Sequence, residues 1–411
     1  MSAVTVRPLT RVAPLDGLRG IAILAVVLHN TVAALEGAGA PDHLARFLMR
    51  LAGPGWIGVQ LFFALSGCLI VGELLDHQGA RNYLRAFYAR RALRILPLYY
   101  STLVLLLAIT AFHAMPAAAR YLRDDGWQLW LLVNNYAGPP PVGFGHFWSL
   151  AAEAQFYALV PLLVARARVP RLALTCTCIA LGALAVRTAF ALTGASAWTI
   201  YTDTAFRLDA LALGAAGACL IRLEYTRGLL RKHSAAAFLL AGVVLLLGAH
   251  PTHSYDYSRL ACQTYGYTLA AVACALVVAS AGAVPGGSEA RQPWIRWLSS
   301  TPLRLVGRYS FGIYIFHNLL NHLVGVPLVQ RLFPTHVSGA TMAAYSTVVF
   351  IVSFALAALS FEFFESRFLR LKPKFETSPA ATAAGFRTAQ APATASGGAI
   401  APIYPTSSGR P

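Results

Sequence analysis

Ionisable side chains inside long apolar runs are the first candidates for chemistry in this sequence. Such groups are costly in an apolar environment unless they are paired or hydrated, so each one needs an explanation. His29 is the leading candidate for a general base, because histidine is the side chain whose ordinary pKa lies near neutral pH. The alternative for His29 is a structural histidine that is hydrogen-bonded inside a helix bundle.

Glu153 and His317 are the further candidates for proton transfer. Glu153 stands in an otherwise apolar run, where an unpaired carboxylate would be costly. It could orient the base, bind a hydroxyl group of the substrate, or form a structural ion pair with Arg187 or Arg207. His317 lies in the second half of another apolar run and is the second candidate for a base.

Basic residues supply the candidates for substrate binding. Arg91 and Arg94 are three positions apart, so they lie on one face of a helix. Since guanidinium groups bind phosphate oxygens in a bidentate manner, this pair predicts a site for a phosphorylated ligand. The alternative is that both are ordinary basic anchors beside a membrane. Arg19 is a further substrate-binding candidate, and Asp209 either contacts substrate or forms a structural pair with Arg207.

We expect no metal site. The six cysteines lie inside or at the edge of apolar runs, without the CxxC spacing or the neighbouring histidines of a zinc site. We interpret them as small buried apolar residues. They are Cys68, Cys176, Cys178, Cys219, Cys262 and Cys274.

The composition places the chain in a membrane. Of its 411 residues 57% are hydrophobic and only 12% are charged, against about 25% charged in an ordinary soluble domain, and its mean hydropathy is +0.58. The formal net charge of +17 does not indicate a nucleic-acid partner, because the basic residues lie between apolar runs instead of on one element. Membrane lipids are therefore the expected surroundings.

Ten apolar runs approach the length of about 20 residues that crosses a hydrocarbon core. They predict an all-α fold, a polytopic membrane bundle of about ten transmembrane helices. The first run is too long for a signal peptide and lacks a cleavage site, so we expect it to be retained as a helix. The runs are 17–35, 56–75, 95–113, 147–164, 172–192, 206–221, 235–249, 265–283, 305–326 and 341–364.

Basic residues in the connecting segments indicate the orientation. Alternate loops and termini carry twenty-two Arg and Lys residues in one set and six in the other. Because basic loops stay in the cytoplasm, this bias predicts that both termini are cytoplasmic. The six are Arg46, Arg50, Arg120, Arg123, Arg259 and Arg331.

The chain is predicted to have three regions. These are a cytoplasmic N-terminus at 1–14, one transmembrane domain at 15–372 and a disordered cytoplasmic tail at 373–411. The tail is rich in Ala, Thr, Ser, Gly and Pro, with few large apolar groups that could order it. We expect no second soluble domain.

Seven motifs resemble those of the acyltransferase-3 family, the membrane acyltransferases that include O-acetylases of O-antigen and other surface polysaccharides. They cover nearly the whole chain and occur in the family's order, which is far more specific than any one motif alone. The motifs are LDGLRG at 15–20, GVQLFFALSG at 58–67, YARRALRILPLYY at 88–100, FWSLAAEAQFY at 147–157, RLDALALGA at 207–215, SFGIYIFH at 310–317 and ESRFLRLK at 365–372.

The resemblance implies a ten-helix membrane domain that takes acyl groups from acyl-CoA as a co-substrate. Acetyl-CoA is the expected donor, and no tightly bound cofactor is expected. The signature sites of the family are an Arg and a His in the first helix, here Arg19 and His29, and an RxxR in the first cytoplasmic loop, here Arg91 and Arg94. The phosphate groups of CoA suit the arginine pair. The family often has a second acid next to Glu153, and this chain has an alanine there.

The spacing within the first helix departs from the family pattern. Nine residues separate Arg19 from His29, where the family has ten. At roughly 100° per residue the two side chains point about 80° apart, and Asn30 instead lies almost above Arg19. We therefore expect Arg19 to position substrate without touching the base. An overwound or bulged helix, or a shared role for His317, are the alternatives.

The predicted function is O-acyl transfer to a hydroxyl group of a cell-surface or lipid-linked saccharide, in the inner (plasma) membrane. The acceptor stays open among O-antigen, exopolysaccharide, a secreted oligosaccharide and a small hydrophobic metabolite. A transporter or flippase of a lipid-linked sugar is the alternative from another functional class, and a non-catalytic scaffold is a third. Whether the chain forms a homo-oligomer is also open.

Overall fold

The computed structural model describes residues 12–36, 41–112, 116–140, 143–284, 292–333 and 337–377. These residues form eighteen α-helices and no β-strand, so the predicted all-α fold class is confirmed. The helices are α1 Ala13–Ala33, α2 His43–Ala52, α3 Ile57–Asp76, α4 Tyr83–Phe112, α5 Pro116–Asp124, α6 Gly126–Trp130, α7 Phe147–Val164, α8 Val169–Leu192, α9 Ala197–Thr202, α10 Thr204–Arg222, α11 Glu224–Lys232, α12 Ser234–Ala249, α13 Tyr267–Ala283, α14 Pro293–Leu298, α15 Thr301–Leu320, α16 Val326–Leu332, α17 Gly339–Ser360 and α18 Ser366–Leu369.

The predicted number of spans is confirmed. Nine segments of the described chain are long and apolar enough to cross a membrane, and a tenth is added if α11 and α12, which meet at 74°, are one span. The predicted terminal regions, 1–14 and 373–411, lie outside the described residues except at 12–14 and 373–377. A short 3₁₀ turn, Lys372–Phe375, overlaps the start of the segment 373–377.

The start of the third span differs from the prediction. Hydropathy placed it at residue 95, whereas α4 begins at Tyr83 and continues through the basic stretch. Arginine is a good helix former, so the helix extends beyond the apolar run that hydropathy detects. Arg90, Arg91 and Arg94 consequently lie on a continuous helix and not in a loop.

Hydrogen bonds between helix ends define two faces of the bundle. At the first, Arg222 Nη2 donates to Gly72 O at 2.6 Å, and Gln78 Nε2 donates to Val164 O at 2.8 Å. At the opposite end, Trp56 Nε1 donates to Tyr255 O at 2.8 Å. We name the first the basic face, because the arginine-rich ends of the helices meet there, and the second the far face.

Helix α1 begins at the basic face and contacts its neighbours backbone to backbone. A Cβ atom added at Gly307 of α15 would lie 1.9 Å from Asp16 O, and one added at Gly20 would lie 2.3 Å from Leu303 O. Membrane helices associate largely by such close packing of small residues, since lipid supplies no hydrophobic drive between them. The glycines therefore set how closely α1 and α15 approach.

We expect Gly307→Ala to destabilise the bundle, because a methyl group there must push α1 and α15 apart. Overpacking of this kind costs about 1–3 kcal/mol in the free energy of unfolding. Thermal unfolding of the purified protein in detergent should show a lower Tm. Gly182→Ala is the matched control, because no atom lies within 4 Å of a Cβ at Gly182. Equal Tm values for the two variants would contradict this account of the α1–α15 contact.

Candidate functional site

Three cavities follow one another through the bundle from the basic face to the far face. The basic cavity measures about 470 Å³, the central cavity about 110 Å³ and the far cavity about 840 Å³. Arg91 lines both the basic and the central cavity, and Val59 and Tyr314 line both the central and the far cavity. The three cavities are therefore neighbours that share wall residues.

The basic cavity is lined by three cations and three carboxylates, which are Arg90, Arg91, Lys372, Glu73, Asp76 and Glu376. Glu73 forms an ion pair with Arg91, and its Oε1 accepts a hydrogen bond from Arg90 Nη2 at 3.0 Å. Arg90 Nη1 also donates to Phe375 O at 2.8 Å, which ties the end of the described chain to α4. Burial, together with the nearby Arg94 and Arg91, lowers the pKa of Lys372 in this cavity to about 8. The formal charges of the lining therefore cancel, and Arg90, Arg91 and Lys372 are the donors that the cavity offers to an anionic ligand.

The central cavity is narrow and holds the three predicted substrate-binding arginines. Arg19, Arg91 and Arg94 line it, with Glu153 on the same wall. Arg19 Nη1 bonds to Asp16 Oδ1 at 2.9 Å. Arg94 has no hydrogen bond or ion pair to another described residue, so its donors are available to a ligand.

Glu153 is held by hydroxyl groups and not by a cation. Its Oε1 accepts hydrogen bonds from Ser66 Oγ and Tyr157 Oη, and all three residues line the central cavity. The alternative of an ion pair with Arg187 or Arg207 is therefore wrong within the described chain. Both cations lie elsewhere in the bundle.

Tyr314 stands where the central and far cavities meet. Its hydroxyl donates to His146 O at 2.9 Å and lies 2.5 Å from Ser149 Oγ. Ser149 lines the central cavity, and His146 lines the far cavity. The Tyr314 and Ser149 hydroxyl groups therefore lie at the boundary between the two cavities.

His29 lies in the wall of the far cavity, with its tautomer set by the backbone. Its Nδ1 is 3.0 Å from Ala52 O, so Nδ1 carries the proton and donates it. The neutral ring then has an unprotonated Nε2, the form that a general base requires. Since Arg19 lines the central cavity, the two signature residues of α1 face different spaces, about 15 Å apart along the helix axis.

His317 is fully buried behind Asn30. Its Nδ1 donates to Tyr314 O at 2.7 Å, and its Nε2 accepts from Asn30 Nδ2 at 3.2 Å. Both ring nitrogens are therefore engaged, whereas Asn30 itself lines the far cavity. His317 is therefore placed to fix the orientation of the Asn30 side-chain amide.

His146 is a site residue that reasoning from the sequence missed. Asn318 Nδ2 lies 3.1 Å from its Nδ1, so Nδ1 accepts this bond and Nε2 carries the proton. Burial lowers the pKa of His146 well below its ordinary value, which keeps the ring neutral. Its buried Nε2 has no hydrogen-bond partner in the described chain. The signal in the sequence that could have identified His146 was its position directly before the motif at 147–157.

Asp209 lies outside the three cavities and is paired within the bundle. Its Oδ2 accepts from Arg187 Nη1 at 2.8 Å and from Thr268 Oγ1 at 2.9 Å, and both members of the ion pair are fully buried. The predicted pairing with Arg207 is wrong, because the side chain of Arg207 points into a cluster of aromatic rings. The contacts of Asp209 are structural.

The side chains that commonly bind metal ions do not cluster in the described chain. Among the described residues, no group of three or more His, Cys, Asp and Glu side chains could hold a metal ion.

Comparison with known proteins gives the family. Residues 12–362 match the acyltransferase domain family to which the seven motifs pointed. The chain belongs to the acyltransferase-3 family. It is a multi-pass membrane protein, as its apolar helices indicate. No solved structure matches it.

Two curated relatives of this chain are named for O-acetyl transfer. The peptidoglycan O-acetyltransferase OatA of Listeria monocytogenes is 27% identical over 379 residues, which cover 86% of this chain and 55% of the relative. The O-acetyltransferase OatA of Staphylococcus aureus is 22% identical over 375 residues, which cover 86% of this chain and 56% of the relative. The chain thus spans about half the length of these relatives.

We expect Asp209→Asn to act on stability, because it leaves the buried Arg187 guanidinium without its counter-charge. Breaking a buried pair in this way costs about 3–5 kcal/mol. Thermal unfolding in detergent should show a large drop in Tm. Asp124→Asn removes an exposed carboxylate beside Arg123 and should change the Tm little. A normal Tm for Asp209→Asn combined with weaker substrate binding would restore the substrate-binding role.

Proposed function

We propose that this acyltransferase moves an acetyl group from acetyl-CoA to a hydroxyl group of a saccharide on the opposite side of the plasma membrane. The observation that carries the proposal is the row of three neighbouring cavities with shared wall residues, with cations at the basic face and His29 in the far cavity. A donor and an acceptor can enter from opposite faces and meet between them. The relatives named as O-acetyltransferases support the same group transfer.

The donor enters from the basic face, which is cytoplasmic. The bias of twenty-two basic residues against six supports this orientation, and acetyl-CoA is a cytoplasmic metabolite. Arg90, Arg91 and Lys372 offer donors to the CoA phosphates in the basic cavity. The narrow central cavity then takes the pantetheine arm and brings the thioester towards Tyr314.

The acceptor occupies the far cavity. Trp148, Trp198 and Tyr201 present aromatic surface there, on which the C–H faces of a sugar ring can pack. Asn30 and Arg50 add polar groups for its hydroxyls. The volume of about 840 Å³ lies within the range of ordinary small-ligand sites and holds a sugar unit.

The chemistry then follows from the tautomer of His29. His29 Nε2 takes the proton of the acceptor hydroxyl, and the oxygen attacks the thioester carbonyl. The tetrahedral intermediate collapses with cleavage of the C–S bond, and the CoA thiolate receives the proton from His29.

His29→Ala should abolish acetyl transfer from radiolabelled acetyl-CoA to saccharide, because no base remains to activate the hydroxyl. General base catalysis contributes about 10²–10⁴-fold, so residual activity should be at or below one per cent. The exposed His250 lies outside the three cavities, and His250→Ala is the control for expression and membrane insertion. Retained transfer by a well-inserted His29→Ala protein would end the proposal.

Arg91→Ala and Arg94→Ala should each raise the KM for acetyl-CoA about tenfold or more, because each removes a charged hydrogen-bond donor to the ligand. Arg85→Ala, at an exposed position on the same helix, should leave the KM unchanged. The affinity of the purified protein for acetyl-CoA should fall in Arg91→Ala and Arg94→Ala and stay at the wild-type value in Arg85→Ala. A protein that binds no acetyl-CoA would favour the transporter or flippase alternative.

A further inference from the structure

Arg207 is a buried cation without a counter-charge in its immediate surroundings. Its side chain is fully buried, and its three nitrogens, Nε, Nη1 and Nη2, make no hydrogen bond to a described residue. The acid two positions later, Asp209, is already paired with Arg187. An unpaired guanidinium inside a membrane bundle is retained only where something else stabilises it.

Four aromatic rings surround the Arg207 guanidinium. Its Cζ lies 4.4 Å from the ring centroid of Tyr267, 5.2 Å from Tyr201, 5.4 Å from Trp56 and 5.5 Å from Trp148. All four distances are within the range of cation–π attraction. Three of these residues, Trp56, Trp148 and Tyr201, also line the far cavity. The cation therefore sits directly behind part of the cavity wall.

Trp56 connects this cluster to the tautomer of His29. It is the last residue of the 3₁₀ turn Gly53–Trp56, and the carbonyl oxygen of the preceding residue, Ala52, accepts the hydrogen bond from His29 Nδ1. The turn presses closely on α1, since a Cβ at Gly55 would lie 2.8 Å from His29 Cβ and 2.5 Å from Ala25 O. Holding Trp56 in place thus holds the carbonyl that orients the His29 ring.

The other side of Trp56 is held by an unusual loop. Trp56 Nε1 donates to Tyr255 O at 2.8 Å. Three successive residues of that loop, His253, Ser254 and Tyr255, have positive φ angles of 50°, 60° and 61°. Such backbone conformations are costly for residues other than glycine and persist where surrounding contacts enforce them. The indole is therefore fixed at its ring face by Arg207 and at its N–H by this loop.

We infer that Arg207 is a positioning residue, which holds the turn Gly53–Trp56 against α1 and thereby keeps His29 in its reactive tautomer and place. The inference rests on the proposed function for its catalytic consequence, whereas its structural part stands on these contacts alone. Arg207 touches neither substrate nor base, and it acts through Trp56.

The test compares Arg207→Met with Arg207→Lys in the full-length protein. Methionine fills the aromatic cluster without charge, whereas lysine keeps a cation there. Arg308→Met is the matched control, because Arg308 also lies over two rings, Tyr309 and Phe361, but is half exposed and distant from the far cavity. The measurements are the kcat and the KM for acetyl-CoA, and amide hydrogen exchange by mass spectrometry.

Arg207→Met should lower kcat about 10²-fold, as a displaced catalytic group does, with the KM for acetyl-CoA unchanged. Exchange should accelerate about tenfold or more in peptides covering 52–58 while α4 and α8 keep wild-type rates. Arg207→Lys should recover most of the activity, and Arg308→Met should resemble the wild type. A merely structural role would accelerate exchange throughout the bundle instead of selectively in 52–58, and Arg207→Lys would not restore the activity.

Wild-type kcat together with wild-type exchange in 52–58 for Arg207→Met overturns the inference. If Arg207→Met does not insert, Trp56→Leu replaces it, because this change removes both the ring beside the Arg207 guanidinium and the N–H bond to Tyr255 O. It should lower kcat and accelerate exchange in the same peptides, and wild-type behaviour would again overturn the inference. If even the wild type transfers no acetyl group, the proposed function fails, and the exchange comparison still decides the positioning role.

Discussion

Helix α1 is held from two sides by direct backbone contact, and the candidate site is arranged along it. On one side Gly17 and Gly20 meet the carbonyls of Leu298 and Leu303, and on the other Gly55 and Gly58 meet those of Ala25 and Ala22. Because no side chains separate the backbones at these contacts, the depth and the rotation of α1 within the bundle are fixed. Arg19 consequently faces the central cavity and His29 the far cavity.

Because little water reaches the inside of the bundle, each charged side chain there needs a partner within the protein. Arg187 and Asp209 satisfy one another, with neighbouring backbone carbonyls completing the contacts of the guanidinium. Glu153 is satisfied by two hydroxyl groups, and Arg207 by aromatic rings. Arg94 differs, because its donors face a cavity and have no partner in the described chain.

The widths of the three cavities match the roles that the cavities have in the proposed reaction. The wide spaces lie at the two faces, and the narrow one lies between them. A narrow passage that a pantetheine arm fills leaves little room for water, so the thioester meets a hydroxyl before it is hydrolysed.

The family, the fold class and the number of spans could be predicted from the sequence, since runs of apolar residues and ordered motifs are local properties. The separation of Arg19 and His29 also followed from the sequence, because the rise and turn of a helix are regular. The partner of Asp209 could not be predicted, since Arg187 lies on another helix and the nearer Arg207 turns away.

His146 and the link from Arg207 through Trp56 to His29 depended likewise on which helix faces meet. A helix that is apolar all round carries no periodic pattern that tells its inner face from its lipid face. For this protein the sequence determined which residues enter the membrane, and only the tertiary structure decided which of them face one another.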